Sequence, residues 1–91
     1  MNIDEYIKVA QLATDKVDDV AELLDGERLV AYCEITKNLE CWGSWLMGYY
    51  TALNTLGIYV DENVAEFKKY REEADEFAMA LLTTLKELGL I

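Results

Sequence analysis

The sequence predicts an all-α fold: one domain, residues 1–91, built as an antiparallel bundle of three long helices, with a homodimer as the alternative state. Three observations predict it. Apolar residues recur at alternating steps of three and four along most of the chain, the period of one helix face. No proline interrupts those runs, so nothing forces a helix to break. Glycines stand where the runs stop, at Gly26, Gly57 and Gly89, as helix C-termini favour.

The first helix is expected over about residues 2–24, on the seam Ile3, Tyr6, Ala10, Ala13, Val17, Val20 and Leu24, with Asn2 as N-cap and Gly26 as the stop. The second seam is Tyr32, Ile35, Leu39, Trp42, Leu46, Tyr49, Leu53 and Leu56. It runs through Gly43 without losing register, so one helix is expected over about residues 27–56, roughly 45 Å long. Gly43 and Gly48 then lie mid-helix, each costing up to about 1 kcal/mol against alanine, which points to close approach of another helix or a ligand. A link, Ile58-Tyr59-Val60, precedes Asp61, the expected cap of a third helix over about residues 62–88. Its seam is Val64, Phe67, Arg71, Ala74, Ala78, Leu81, Leu85 and Leu88, where only Arg71 departs and marks a wet end. Short connections between long helices favour antiparallel neighbours.

A chain this short buries a modest fraction of its surface, yet 53% of its residues are hydrophobic, which leans towards self-association or a partner. Eighteen acids against eight bases give a net charge of −10. Direct nucleic-acid binding needs basic clusters and is not expected; attraction to a basic protein surface is. Solubility alone is the plain alternative. Cys33 and Cys41 on one helix lie about 12 Å apart, too far for a bridge, and no histidine occurs, which removes thiolate–imidazole catalysis and most zinc sites. No signal peptide is apparent, and a reducing, cytoplasmic setting is expected. No cofactor or resident metal is predicted.

From Cys41 to Val60 there is no formal charge. That length could span a bilayer, but three glycines, interspersed Ser, Thr and Asn, and acidic rather than basic flanks argue against it. The stretch reads as a helix apolar on more than one face. Either it is packed on both sides, or it exposes an aromatic patch around Trp45 and Tyr50, residue types favoured at protein interfaces, with Tyr49 on the seam beside them. The run from Trp45 to Asn54 also resembles a helix of the HdeA-like periplasmic acid-stress proteins. That family pairs a cysteine before this run with one after it; here Cys33 precedes the run and none follows.

Asp15, Asp18, Asp19 and Glu22 fall at i, i+3, i+4 and i+7 on the first helix, with Lys16 the nearby base. Like charges so spaced cost helix stability, and a cation or a basic surface would offset that. A second cluster, Glu72-Glu73-Ala74-Asp75-Glu76, has the EExxE form and resembles the all-α nucleotide pyrophosphohydrolases of the MazG type. Two carboxylate clusters expected on facing helices offer Asp15, Asp19, Glu72 and Glu76 as oxygen ligands for Mg²⁺, but the family's second ExxD motif is missing, since only Glu87 is acidic after Glu76. The alternative is a solvated face, because Lys68 and Lys69 precede Glu72 and Glu73 by four residues. The function expected is a non-enzymatic protein-binding module using Asp15, Asp18, Asp19, Glu22, Trp45, Tyr49 and Tyr50 against a basic protein. It is similar in size and charge to the anti-restriction and anti-CRISPR inhibitors made by phages. A Mg²⁺-dependent hydrolase and a self-associating structural subunit are the alternatives.

Overall fold

The computed structural model describes residues 1–57 and 65–91, and the side chains of all of these but residues 65 and 66. Among the described residues there are four helices and no strand: α1 (Ile3–Asp15), α2 (Val17–Leu23), α3 (Gly26–Thr55) and α4 (Ala65–Glu87). The Ile58-Tyr59-Val60 link, the Asp61 cap and Val64 lie outside the described residues.

The expected first helix is corrected to two. It breaks at Lys16, whose backbone (φ −95°, ψ 2°) leaves the helical region. The cause is local. Thr14, Asp15, Val17, Asp18 and Asp19 are weak helix formers, the four carboxylates repel at helical spacing, and the Thr14 hydroxyl donates back to the Ala10 carbonyl at 2.9 Å. The bend leaves the last carbonyls of α1 without helical partners. The Tyr32 hydroxyl of α3 takes one, donating to the Ala13 carbonyl at 2.6 Å. Asn2 sits at the N-cap position but its side chain makes no capping bond. Gly26 is not a stop either: Leu24 and Asp25 are extended, and Gly26, at φ +53°, opens α3.

α3 is continuous through Gly43, as the seam requires. A Cβ on Gly43 would lie 3.2 Å from the Tyr6 Cβ and 3.3 Å from Ile7 Cγ1, so the missing side chain is what lets α1 lie against α3. Around that contact the core gathers Tyr6, Val9, Ala10 and Ala13 of α1, Val20 of α2, and Leu24. Tyr32, Leu39 and Leu46 of α3, with Phe67, Ala74, Ala78, Leu81 and Leu85 of α4, complete it. At the α4 end, Leu90 N–H donates to the Leu85 carbonyl at 2.9 Å across Gly89, at φ +73°, which closes the helix as a glycine C-cap does.

The second seam holds in part. Tyr32, Leu39 and Leu46 are buried, but Tyr49 and Leu56 are exposed, and Thr36 and Gly43 are buried instead. Residues spaced every seven drift about 20° per heptad on a straight α-helix, so a seam followed that way rotates out of the core by its end. No helix among the described residues is long and apolar enough to cross a membrane.

Candidate functional site

α3 has three sides. One meets α1 through Gly43 and Tyr32. A second meets α4 through Trp42, which stacks on Tyr70 with ring centroids 4.6 Å apart. The third is bare: Val30, Glu34, Lys37, Cys41, Ser44, Gly48, Ala52 and Thr55 are all exposed. The charge-free half of α3 is therefore packed on two sides and open on the third.

Along the α3–α4 edge five aromatic rings form a ladder. Trp45 lies edge-on to Tyr70 at 4.8 Å and parallel to Tyr49 at 5.3 Å, and Tyr49 reaches Phe67 at 6.2 Å. Phe67 is buried at the inner end, whereas Trp45 and Tyr49 are each 44% exposed at the outer one. Two of the three predicted aromatics thus belong to one patch. Tyr50 does not: it is half-buried towards α1, in a hollow with Asn2, Ile3, Met47 and Arg71. Trp42, Phe67 and Tyr70 were missed as members of the patch. Trp42 carried a signal, its place three residues before Trp45, but the α4 rings are joined to it only by the fold.

The acidic residues lie elsewhere. Asp15, Asp18, Asp19 and Glu22 are exposed, as are Asp25 and Glu27, and Lys16 among them is half-buried. The break at Lys16 divides the set, leaving Asp15 on α1 and the other three on α2. Glu27 and Trp45 are eighteen residues apart on one continuous helix, about 27 Å. Acidic end and aromatic patch therefore sit far apart on a molecule 47 Å long.

The four carboxylates of the Mg²⁺ reading are not brought together. The Tyr6 hydroxyl on Asp75 sets the level of α1 against α4, while Ala13 is tied to Tyr32, which shares a crevice with Leu81. Asp15 and Asp19 therefore lie past the level of Leu81, beyond Glu72 and Glu76. Among the described residues no group of three Asp, Glu or Cys side chains is placed to hold a metal. Both cysteines are free and exposed.

Two tyrosines have altered ionisation. Burial, then the 2.6 Å bond donated to Asp75 Oδ1, pushes Tyr6 up to about 12. Burial, then the neighbouring Cys33, pushes Tyr32 up to about 12. Both hydroxyls are structural donors. A crevice of about 200 Å³ beside the bend is lined by Thr14, Tyr32 and Thr36, whose hydroxyls are all committed to backbone carbonyls. Compared with known proteins, the chain matches no family model, no curated protein and no solved structure.

Proposed function

We propose that the chain is a non-enzymatic binding protein whose acidic end engages a basic protein surface, of the kind that otherwise grips nucleic acid. On this reading it acts like the small acidic inhibitors made by phages against restriction and CRISPR systems. Its scaffold is an antiparallel bundle in which the bent α1–α2 unit counts as one arm. The pairs Tyr6–Gly43 and Ala13–Tyr32 support opposite directions for α1 and α3.

One observation carries the reading. Asp15, Asp18, Asp19 and Glu22 are all exposed, and none of them is in an ion pair among the described residues. The helix that carries them breaks at Lys16, in their midst. A concentrated negative field at one end of a long body attracts a cationic surface and speeds encounter with it.

The test is capture of a nucleic-acid-handling protein from a bacterial lysate, with Asp18→Lys as the variant. Reversing one charge should weaken binding about tenfold, and raising salt should weaken it further. Capture that resists both salt and the substitution, or no capture, would sink the electrostatic reading.

A further inference from the structure

The joint between α1 and α2 is left open at one carbonyl. Helical bonds reach it from both sides: Lys16 N–H donates to the Leu12 carbonyl at 3.1 Å, and Val20 N–H to the Lys16 carbonyl at 2.9 Å. Among the described residues, the rungs between these two are missing, those from Val17, Asp18 and Asp19 back to Ala13, Thr14 and Asp15. Ala13 is fully buried. Its carbonyl, the acceptor of the first missing rung, takes the Tyr32 hydroxyl instead, at 2.6 Å. Tyr32 is itself buried, near the start of α3.

The apolar register does not change across the joint. Val17, Val20 and Leu24 continue the seam of Ile3, Tyr6, Ala10 and Ala13 at steps of three and four. Val20 and Leu24 are buried, and Val17 packs on the core. A joined helix would therefore turn the same residues inward as the broken one does. No proline or glycine stands between Ala13 and Val20. The weak helix formers around Lys16 make the missing rungs easy to open but do not forbid them. A crevice of about 200 Å³ lies against the joint, lined by Ala13, Thr14, Val17 and Tyr32 among others, so close packing does not lock the chain there.

We infer that Tyr32 latches a two-position joint. With its hydroxyl on the Ala13 carbonyl, α1 and α2 are separate helices; with the hydroxyl withdrawn, they close into one. The physical reason is the acceptor. A buried carbonyl without a donor is costly, and when Tyr32 lets go, the Val17 N–H four residues on is the donor at hand. Once that first rung forms, the next two extend a helix already nucleated on both sides. Asp15 ends α1, whereas α2 carries Asp18, Asp19 and Glu22. The joint thus sets how three acids of the binding end stand to the fourth. That consequence rests on the basic-surface reading; the joint itself does not.

Amide hydrogen exchange of the full chain, read residue by residue by NMR, tests the latch. In the wild type the Val17, Asp18 and Asp19 amides should exchange close to the rate of free peptide. Tyr32→Phe removes the hydroxyl and keeps the ring. It should slow exchange at Val17 about tenfold or more and move the Lys16 Cα shift into the helical range. Tyr32→Met, which keeps bulk without a donor, should do the same. Tyr6→Phe takes a buried hydroxyl from the contact of α1 with α4, and is the control for general loosening; it should leave Val17 fast. A Val17 amide already protected in the wild type overturns the proposal. So does one that stays fast in folded Tyr32→Phe or Tyr32→Met, or one that slows equally in Tyr6→Phe.

Discussion

Tyr6 and Tyr32 show what a single hydroxyl does in this core. Either could have been phenylalanine for bulk alone. Each instead ties α1 to another helix, Tyr6 through Asp75 Oδ1 and Tyr32 through the Ala13 carbonyl, both at 2.6 Å. Buried hydroxyls need such partners, and burial above all keeps the hydroxyls protonated. Free tyrosine ionises near 10, and in the folded chain both are pushed up to about 12. Between those values the unfolded chain releases these protons while the folded chain retains them. Their contribution to stability is complete below pH 10 and is lost as pH rises towards 12. Denaturant melts at pH 9, 10, 11 and 12 should show stability falling across the last three. The ultraviolet titration should carry a late component that Tyr6→Phe and Tyr32→Phe each diminish. Both tyrosines were legible as core: Tyr6 and Tyr32 stand on the predicted seams. Their partners were not, because they lie 69 and 19 residues away in the chain.

At the scale of the helix, the two internal glycines of α3 make opposite predictions from one residue type. Gly43→Ala gains up to about 1 kcal/mol of helix propensity but drives a methyl to 3.2 Å from the Tyr6 Cβ, which cannot yield unless α1 moves. Overpacking of that kind costs about 1–3 kcal/mol, so the net effect is a loss of about 1 kcal/mol. Gly48→Ala meets nothing and should gain nearly the full 1 kcal/mol in dilute protein. Thermal melts should separate the two variants by roughly 8–16 °C at about 4–8 °C per kcal/mol, with Gly48→Ala the higher. Equal melting temperatures would mean that α1 does not press on Gly43. The continuity of α3 through Gly43 was readable because an apolar seam outweighs one glycine. The bend at Lys16 was not read, although Asp15, Asp18 and Asp19 already signalled repulsion. A seam survives a bend, since Val20 and Leu24 stay buried on the far side of it. The outward turn of Tyr49 and Leu56 was hidden by the heptad spacing itself.

For the whole molecule, the unequal placement of charge governs behaviour. A net charge of −10 on 91 residues makes the compact state repel itself, most strongly around Asp18, Asp19 and Glu22. Screening relieves this, so Tm at fixed protein concentration should rise as sodium chloride goes from about 10 to about 150 mM. Asp18→Lys should flatten that rise, and a Tm indifferent to salt would show that the acids do not interact. The two stretches singled out in the sequence, acidic and charge-free, survive as distinct regions. Their separation along α3 was not legible until Gly26–Thr55 proved to be one continuous element. Tyr50 left the patch for the same reason, since one residue along a helix turns the side chain by about 100°.

The bond between Tyr6 and Asp75 also bears on how the chain is made. Sixty-nine residues separate them, so at the usual 5–20 residues per second α1 is synthesised roughly 3–14 s before its α4 partner. Through that interval its apolar stripe lacks one of the two surfaces that will cover it. The newborn chain is thus exposed to chaperones and proteases at its first helix until α4 has been made and has docked.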